Sequence, residues 1–238
     1  WRQRLALAAA AVTARQAGRV EDERALRDAV LLTKPGDDVG PAGRMLVAWH
    51  RLAGMPAEKL LTEASIGAVL DDLGLARDDE SVSELTNDLR LLAASDGTVG
   101  MLIGAFMTAE RHGFGRTVGA LLADALLAQR LGWAQAVPLL GTEAALGTSA
   151  RPRRSAASLA TNFETDPERA KSLLAAQARA ALRAVDLSAE LGRRADRLTV
   201  APRTRELLAD VAPHDHLRGD QLDHLGDLGG DTRARTAA

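Results

Sequence analysis

The chain has 238 residues, a formal charge of −2 and a composition in which 46% of residues are hydrophobic but only 3% aromatic. It contains no cysteine, which excludes disulfides, thiol catalysis and thiolate metal sites. The near-neutral balance gives no reason to expect a polyanionic partner from net charge alone.

Residues 1–17 (WRQRLALAAAAVTARQA) read as a helix closing at Gly18. A second helix is expected over 21–32, with Glu21, Asp22 and Glu23 at its positive dipole end. The stretch TKPGDDVGPAGR (33–44) follows, with three glycines, two prolines and the adjacent pair Asp37 and Asp38. Helices are then expected over 42–52 and over 63–73, the latter stopping at Gly74. Ser81-Val-Ser-Glu84 has the spacing of a capping box for a helix carrying Val82, Leu85, Leu89 and Leu92. Thr98 caps the next helix, to Gly113, and a further helix runs over 117–131 to Gly132. Asp166-Pro167-Glu168 starts a long helix toward Arg197, with proline at the first helical position.

No sustained period-2 alternation suggests strands. The fold class expected is all-α, an irregular array of about eight to ten helices with a long C-terminal helix. Domain boundaries follow composition: a helical core at 1–147, a Ser/Thr/Arg-rich connection at 148–165, the long helix at 166–202, and a His/Asp/Gly-rich, disordered tail at 203–238. The longest nearly uncharged apolar run, Thr98 to Ala109, is shorter than the roughly 18 residues of a membrane span. A cytoplasmic location fits the lack of cysteine. Trp1 is not an initiator residue, so the natural start is expected upstream.

Three runs carry a family resemblance: EDERALRDAVLLTKPGDDVGPAGRMLVAWHRL (21–52), DGTVGMLIGAFMTAERHGFGR (96–116) and LADALLAQRLGWAQAVPLLG (122–141). With WRQRLALAAA at the start, the chain resembles an uncharacterised bacterial family, domain of unknown function 1403, over about residues 1–201. That resemblance implies an all-helical cytoplasmic body with no assigned activity. It also implies that intact members end in a basic segment similar to a winged helix, and so touch DNA. After Leu198-Thr-Val-Ala-Pro202 the sequence departs from that pattern, as a shifted reading frame in a GC-rich gene would make it do.

Candidate sites are few. Gly40-Pro-Ala-Gly43-Arg44 could open a helix that attracts an anion, or Asp37 and Asp38 could hold a hard cation. Against this ligand reading of Asp37, Asp38 and Arg44 stands a structural turn, with positive φ at Gly36 and Gly40 and an Asx turn at an aspartate. Arg151, Arg153 and Arg154 could grip phosphates of a nucleic acid, since guanidinium forks match phosphate oxygens. From Arg151 to Arg197 there are ten Lys/Arg against six acids, a surplus of +4; a solvated linker and helix face is the plainer reading.

Asp124, flanked by leucines in ALLADALLAQ, is expected to pair with Arg116 or Arg130 or to face outward, with a tuned acid or base as the sharper alternative. His214, His216 and His224 have too little scaffold for a zinc site, and His50 and His112 sit near helix ends. Gly100-xxx-Gly104 would let two helices approach. No GxSxG, HExxH or glycine-rich nucleotide loop is present, and no cofactor is expected. The functional expectation is therefore a non-enzymatic helical scaffold or regulatory module. The alternative is an enzyme or ligand-binding protein built on the Asp37/Asp38/Arg44 corner.

Overall fold

The structure is a computed structural model and describes residues 1–34, 36–94, 97–143 and 167–200. Among them, eight α-helices form: α1 (Arg2–Gln16), α2 (Glu23–Leu31), α3 (Gly40–Gly54), α4 (Glu63–Asp72), α5 (Asp79–Ala93), α6 (Thr98–Arg111), α7 (Arg116–Arg130) and α8 (Pro167–Val200). Two 3-10 turns, Ala57–Lys59 and Leu140–Thr142, interrupt the connections. No strand is found among the described residues; an isolated antiparallel bridge joins Pro56 to Gln135. The all-α expectation holds. Among these residues no helix is long and apolar enough to cross a membrane. Contacts group Trp1–Leu191 into one compact body, and a separate unit begins at Gly192.

Local chemistry explains most helix ends. Asp22 caps α2, its carboxylate accepting from the Ala25 N–H at 2.8 Å, and Thr62 caps α4 by accepting from Ser65. The capping box expected at Ser81 is displaced: the cap is Asp78, which accepts from both the backbone N–H (2.7 Å) and the hydroxyl (3.0 Å) of Ser81. An aspartate three residues upstream offers two acceptor oxygens, so the helix starts earlier and Ser81 becomes its third residue. Thr98 likewise lies inside α6, whose cap is Gly97. Gly18, Gly74, Gly113 and Gly132 follow helix ends with φ between 64° and 78°, the left-handed stop in which glycine carries no Cβ penalty.

The core is built from leucine and alanine around α1. Ala6, Ala9, Ala10 and Ala14 have no exposed surface, because α1 packs against α2, α3 and the 140–142 turn. Small side chains let these backbones come close while burying apolar area. Trp49 of α3 fills the space left over. It is fully buried, and its indole N–H donates to the Thr13 hydroxyl of α1 at 3.0 Å. Its ring lies on Gly141, where a Cβ would come within 2.2 Å of the indole. At the crossing of α6 and α7, Gly119 admits Phe106, whose ring carbon is 2.6 Å from where a Cβ would stand. The expected Gly100-xxx-Gly104 pair splits in two: Gly104 receives the Leu92 side chain, while Gly100 faces open space.

These contacts rank the glycines. Gly141→Ala should lower stability by about 3 kcal/mol, because a buried indole has nowhere to move. Gly100→Ala should match or exceed wild type by about 0.5 kcal/mol, since a helical glycine there gains propensity without a clash. Urea denaturation measures both, and equal costs at the two positions would contradict the packing described.

Candidate functional site

The corner between α2 and α3 takes the conformation its residues suggest. Gly36 and Gly40 have φ of 95° and 72°. Asp38 Oδ1 accepts from the Gly40 N–H at 2.9 Å, closing an Asx turn. Pro41 occupies the first turn of α3. Arg44 then returns to the same carboxylate in a fork, Nε to Oδ1 at 3.0 Å and Nη2 to Oδ2 at 2.8 Å. The pairing holds the Asp38 carboxyl below its usual range, with the Gly40 N–H adding to the effect, and raises Arg44 in turn. Arg44 also lies over Gly74 at the end of α4, its Nη1 2.5 Å from where a Cβ would stand. Asp37 is exposed, and its backbone N–H donates to the Lys34 carbonyl at 3.0 Å. Asp38 and Arg44 are thus brought together, but onto each other.

Asp124 departs from the expectation of an arginine partner or an outward face. It is 1% exposed in the middle of α7. Its carboxylate accepts from the backbone N–H groups of Leu139 (2.9 Å), Leu140 (3.1 Å to each oxygen) and, at the limit of hydrogen bonding, Gly141 (3.5 Å). Successive amides converging on one anion make a nest. Burial pushes the Asp124 carboxyl up to about 7, and the three amides pull the other way. Nothing in ALLADALLAQ predicts this partner, which lies 15 to 17 residues further on. The signal available was a lone carboxylate in an otherwise apolar helix.

The turn that Asp124 holds continues into Glu143, only 5% exposed. Arg179 of α8 donates to its Oε2 at 3.0 Å, and Arg183 donates to its Oε1 and, at 3.3 Å, to the Thr142 hydroxyl. These links fasten α8 where Leu173, Ala176, Ala180 and Ala184 form its buried seam. Beside α8 an apolar groove of about 450 Å³ opens. Trp1, Trp133, Val137 and Leu139 face Ala181, Ala184 and Val185 across it, with Arg2, Gln135 and Ser188 as its polar lining. The groove's far wall is pinned: Gln135 Oε1 accepts from the Arg2 guanidinium, and Gln135 Nε2 donates to the Gly54 carbonyl oxygen at 3.3 Å. Sequence reading did not find this groove, because it joins residues from three distant parts of the chain.

Elsewhere, His112 Nε2 meets Asp88 Oδ2 at 2.8 Å, and burial lowers the pKa of half-buried His50. Among the described residues no three His, Asp or Glu side chains gather as a metal site would require. Arg151, Arg153, Arg154 and the tail histidines His214, His216 and His224 lie outside the described residues.

The Asp124 nest sets a pH dependence. Its folded pKa of about 7 exceeds the unfolded 3.8, so the native state binds the extra proton between these values. Its contribution is therefore greatest at low pH and is lost as pH rises toward 7. Asp124→Ala should cost about 3 kcal/mol by leaving buried amides unpaired. Asp124→Asn, which keeps one acceptor oxygen, should cost less and should flatten the decline between about pH 4.5 and 7.5. Denaturant titrations across that range check both, and an unchanged slope in the asparagine variant would contradict the assignment.

No curated protein and no solved structure matches the chain. A family model described as "Protein of unknown function (DUF1403)" matches residues 1–222. The match continues through residue 222, past Pro202, where the resemblance was expected to end. With that much of its length covered, the chain belongs to the DUF1403 family.

Proposed function

We propose that this protein is a non-enzymatic helical scaffold or regulatory module, with the apolar groove beside α8 as its working surface. One observation carries the reading: among the described residues Asp38, Asp124 and His112 are engaged within the chain, whereas the groove is open and mostly apolar. Asp38 is held by Arg44 and the Gly40 N–H, Asp124 by the 139–141 amides, and His112 by Asp88. A groove with aromatic and alanine walls and few polar groups suits an apolar segment of another molecule.

The ligand reading of Asp37, Asp38 and Arg44 requires breaking a forked ion pair before any cation or phosphate can enter. A DNA-contacting role leans on Arg151, Arg153 and Arg154, since Arg179 and Arg183 further along are committed to Glu143.

A solvatochromic apolar dye tests the reading. It should bind with a blue shift to the wild type and to Asp38→Ala, and its uptake should fall at least about fivefold in Val185→Glu, which puts a charge in the groove wall. Magnesium and inorganic phosphate should leave the melting temperature unchanged, and Asp38→Ala should lower it only slightly. The contrary result is a melting temperature raised by magnesium or phosphate and insensitive to them in Asp38→Ala, with no dye uptake. That outcome would restore the enzyme or ligand-binding alternative.

A further inference from the structure

The groove beside α8 holds a cation without a counter-charge. Arg2 lines it, and among the described residues no carboxylate does. Other arginines of the body face an acid: Arg44 meets Asp38, Arg51 meets Asp72, Arg77 meets Asp71, and Arg179 and Arg183 meet Glu143. Arg2 instead meets neutral oxygens, the Ala53 carbonyl at 3.4 Å through Nε and Gln135 Oε1 through Nη2. Its Nη1 makes no hydrogen bond among the described residues. The guanidinium carbon lies 5.6 Å from the centre of the Trp1 ring. A guanidinium placed in this way keeps N–H donors for an anion that enters the groove. Arg2 is half-buried, so such a pair is screened less than one on open surface.

The remaining walls say what else the occupant carries. They are ring and aliphatic carbon from Trp133, Val137, Leu139 and Val185. The other two polar side chains of the lining are already used. Gln135 bonds Arg2 and the Gly54 carbonyl, and the Ser188 hydroxyl donates to the Val185 carbonyl at 2.8 Å. A peptide would bring an amide N–H and a C=O with every residue and find few side chains here to satisfy them. An alkyl chain brings no polar group that needs a partner.

We infer that the groove binds a free fatty acid, with its carboxylate on Arg2 and its alkyl chain along the Trp133 and α8 walls. The inference rests on the proposed use of the groove and names the chemistry of its occupant. A methylene takes about the volume of one water, roughly 30 Å³, so about 450 Å³ suits a chain on the order of 12–15 carbons. Such a ligand touches Ala181, Ala184 and Val185 of α8 together with residues 133–139. Occupancy is thereby linked to the docking of α8 on the segment that follows α7.

Dodecanoate, ionised at neutral pH and kept below its micellar range, is the probe. Place is read with ω-bromododecanoate, whose bromine quenches an indole it touches. Of the three tryptophans, Trp1 and Trp133 line the groove, whereas Trp49 is buried in the core. Wild-type emission should be quenched, and that of Trp1→Phe with Trp133→Phe should not. Head-group recognition is read by displacement of the apolar dye. Arg2→Gln should still take up the dye, but dodecanoate should displace it at least about tenfold less well than from the wild type. Arg2→Lys should recover part of that loss, because it keeps the charge. Dodecanol should displace the dye equally from the wild type and Arg2→Gln. Dodecyltrimethylammonium, with the same chain and the opposite charge, should bind at least about tenfold more weakly than dodecanoate.

Equal losses for dodecanoate and dodecanol in Arg2→Gln overturn the inference, as does a cationic analogue that binds as tightly as dodecanoate. Quenching that survives removal of both groove tryptophans also overturns it. Displacement by an apolar peptide and not by dodecanoate would assign the groove to a protein partner instead. Dye uptake without dodecanoate binding sinks the fatty acid alone. Failure of dye and dodecanoate together sinks the proposed function with it.

Discussion

A single buried carboxylate fixes how the later part of the body is laid over the earlier part. Asp124 cannot stay in the middle of α7 without partners, because an unpaired charge or carboxyl there would cost more than the helix gains from its leucines. Its partners are the amides of Leu139, Leu140 and Gly141, so the chain leaving α7 must turn back and present three successive N–H groups to it. Once that turn is placed, Gly141 lies under the Trp49 ring and Trp49 reaches Thr13. Three helices and one connection are then held by a single chain of contacts. The next residue but one, Glu143, extends the chain to Arg179 and Arg183 and so to α8.

The arrangement explains why so few aromatic residues suffice. An alanine-lined centre gives short distances between helices, and one tryptophan fills the volume where α1, α3 and the 140–142 turn meet. The polar groups inside serve this architecture: Thr13 satisfies the indole, and Asp124 satisfies backbone that has left a helix and has no other partner. Among the described residues, an apolar groove opens beside α8, and the proposed function rests on it.

Much of this was legible in the sequence, and the limits are physical. Helix periodicity, terminal glycines and aspartate caps are local signals, so all eight helices could be expected, with ends shifted by a few residues. The Ser81 cap gave way to Asp78 because two plausible caps stood three residues apart and the carboxylate is the better acceptor. The 33–44 corner was readable for the same reason, since its Asx turn and positive φ values depend only on residues within it. Asp124 was not. Its partners are backbone amides, which every residue carries, and no side-chain pattern marks them. The close approaches at Gly119 and Gly141 were hidden too, because a glycine contact depends on what another helix brings to it. The groove combines the first residues, the 133–139 segment and α8, and only the folded chain brings these together.

The central claim is that the Asp124 nest holds the 139–141 turn as firmly as the core itself. Native-state hydrogen exchange of single amides tests it most directly. The N–H groups of Leu139 and Leu140 should exchange only through global unfolding, with the same free energy as Leu126 in the centre of α7. In Asp124→Asn they should drop to a local opening at least about 2 kcal/mol below that limit. Rapid exchange of Leu139 and Leu140 in the wild type, while Leu126 stays protected, would contradict the account.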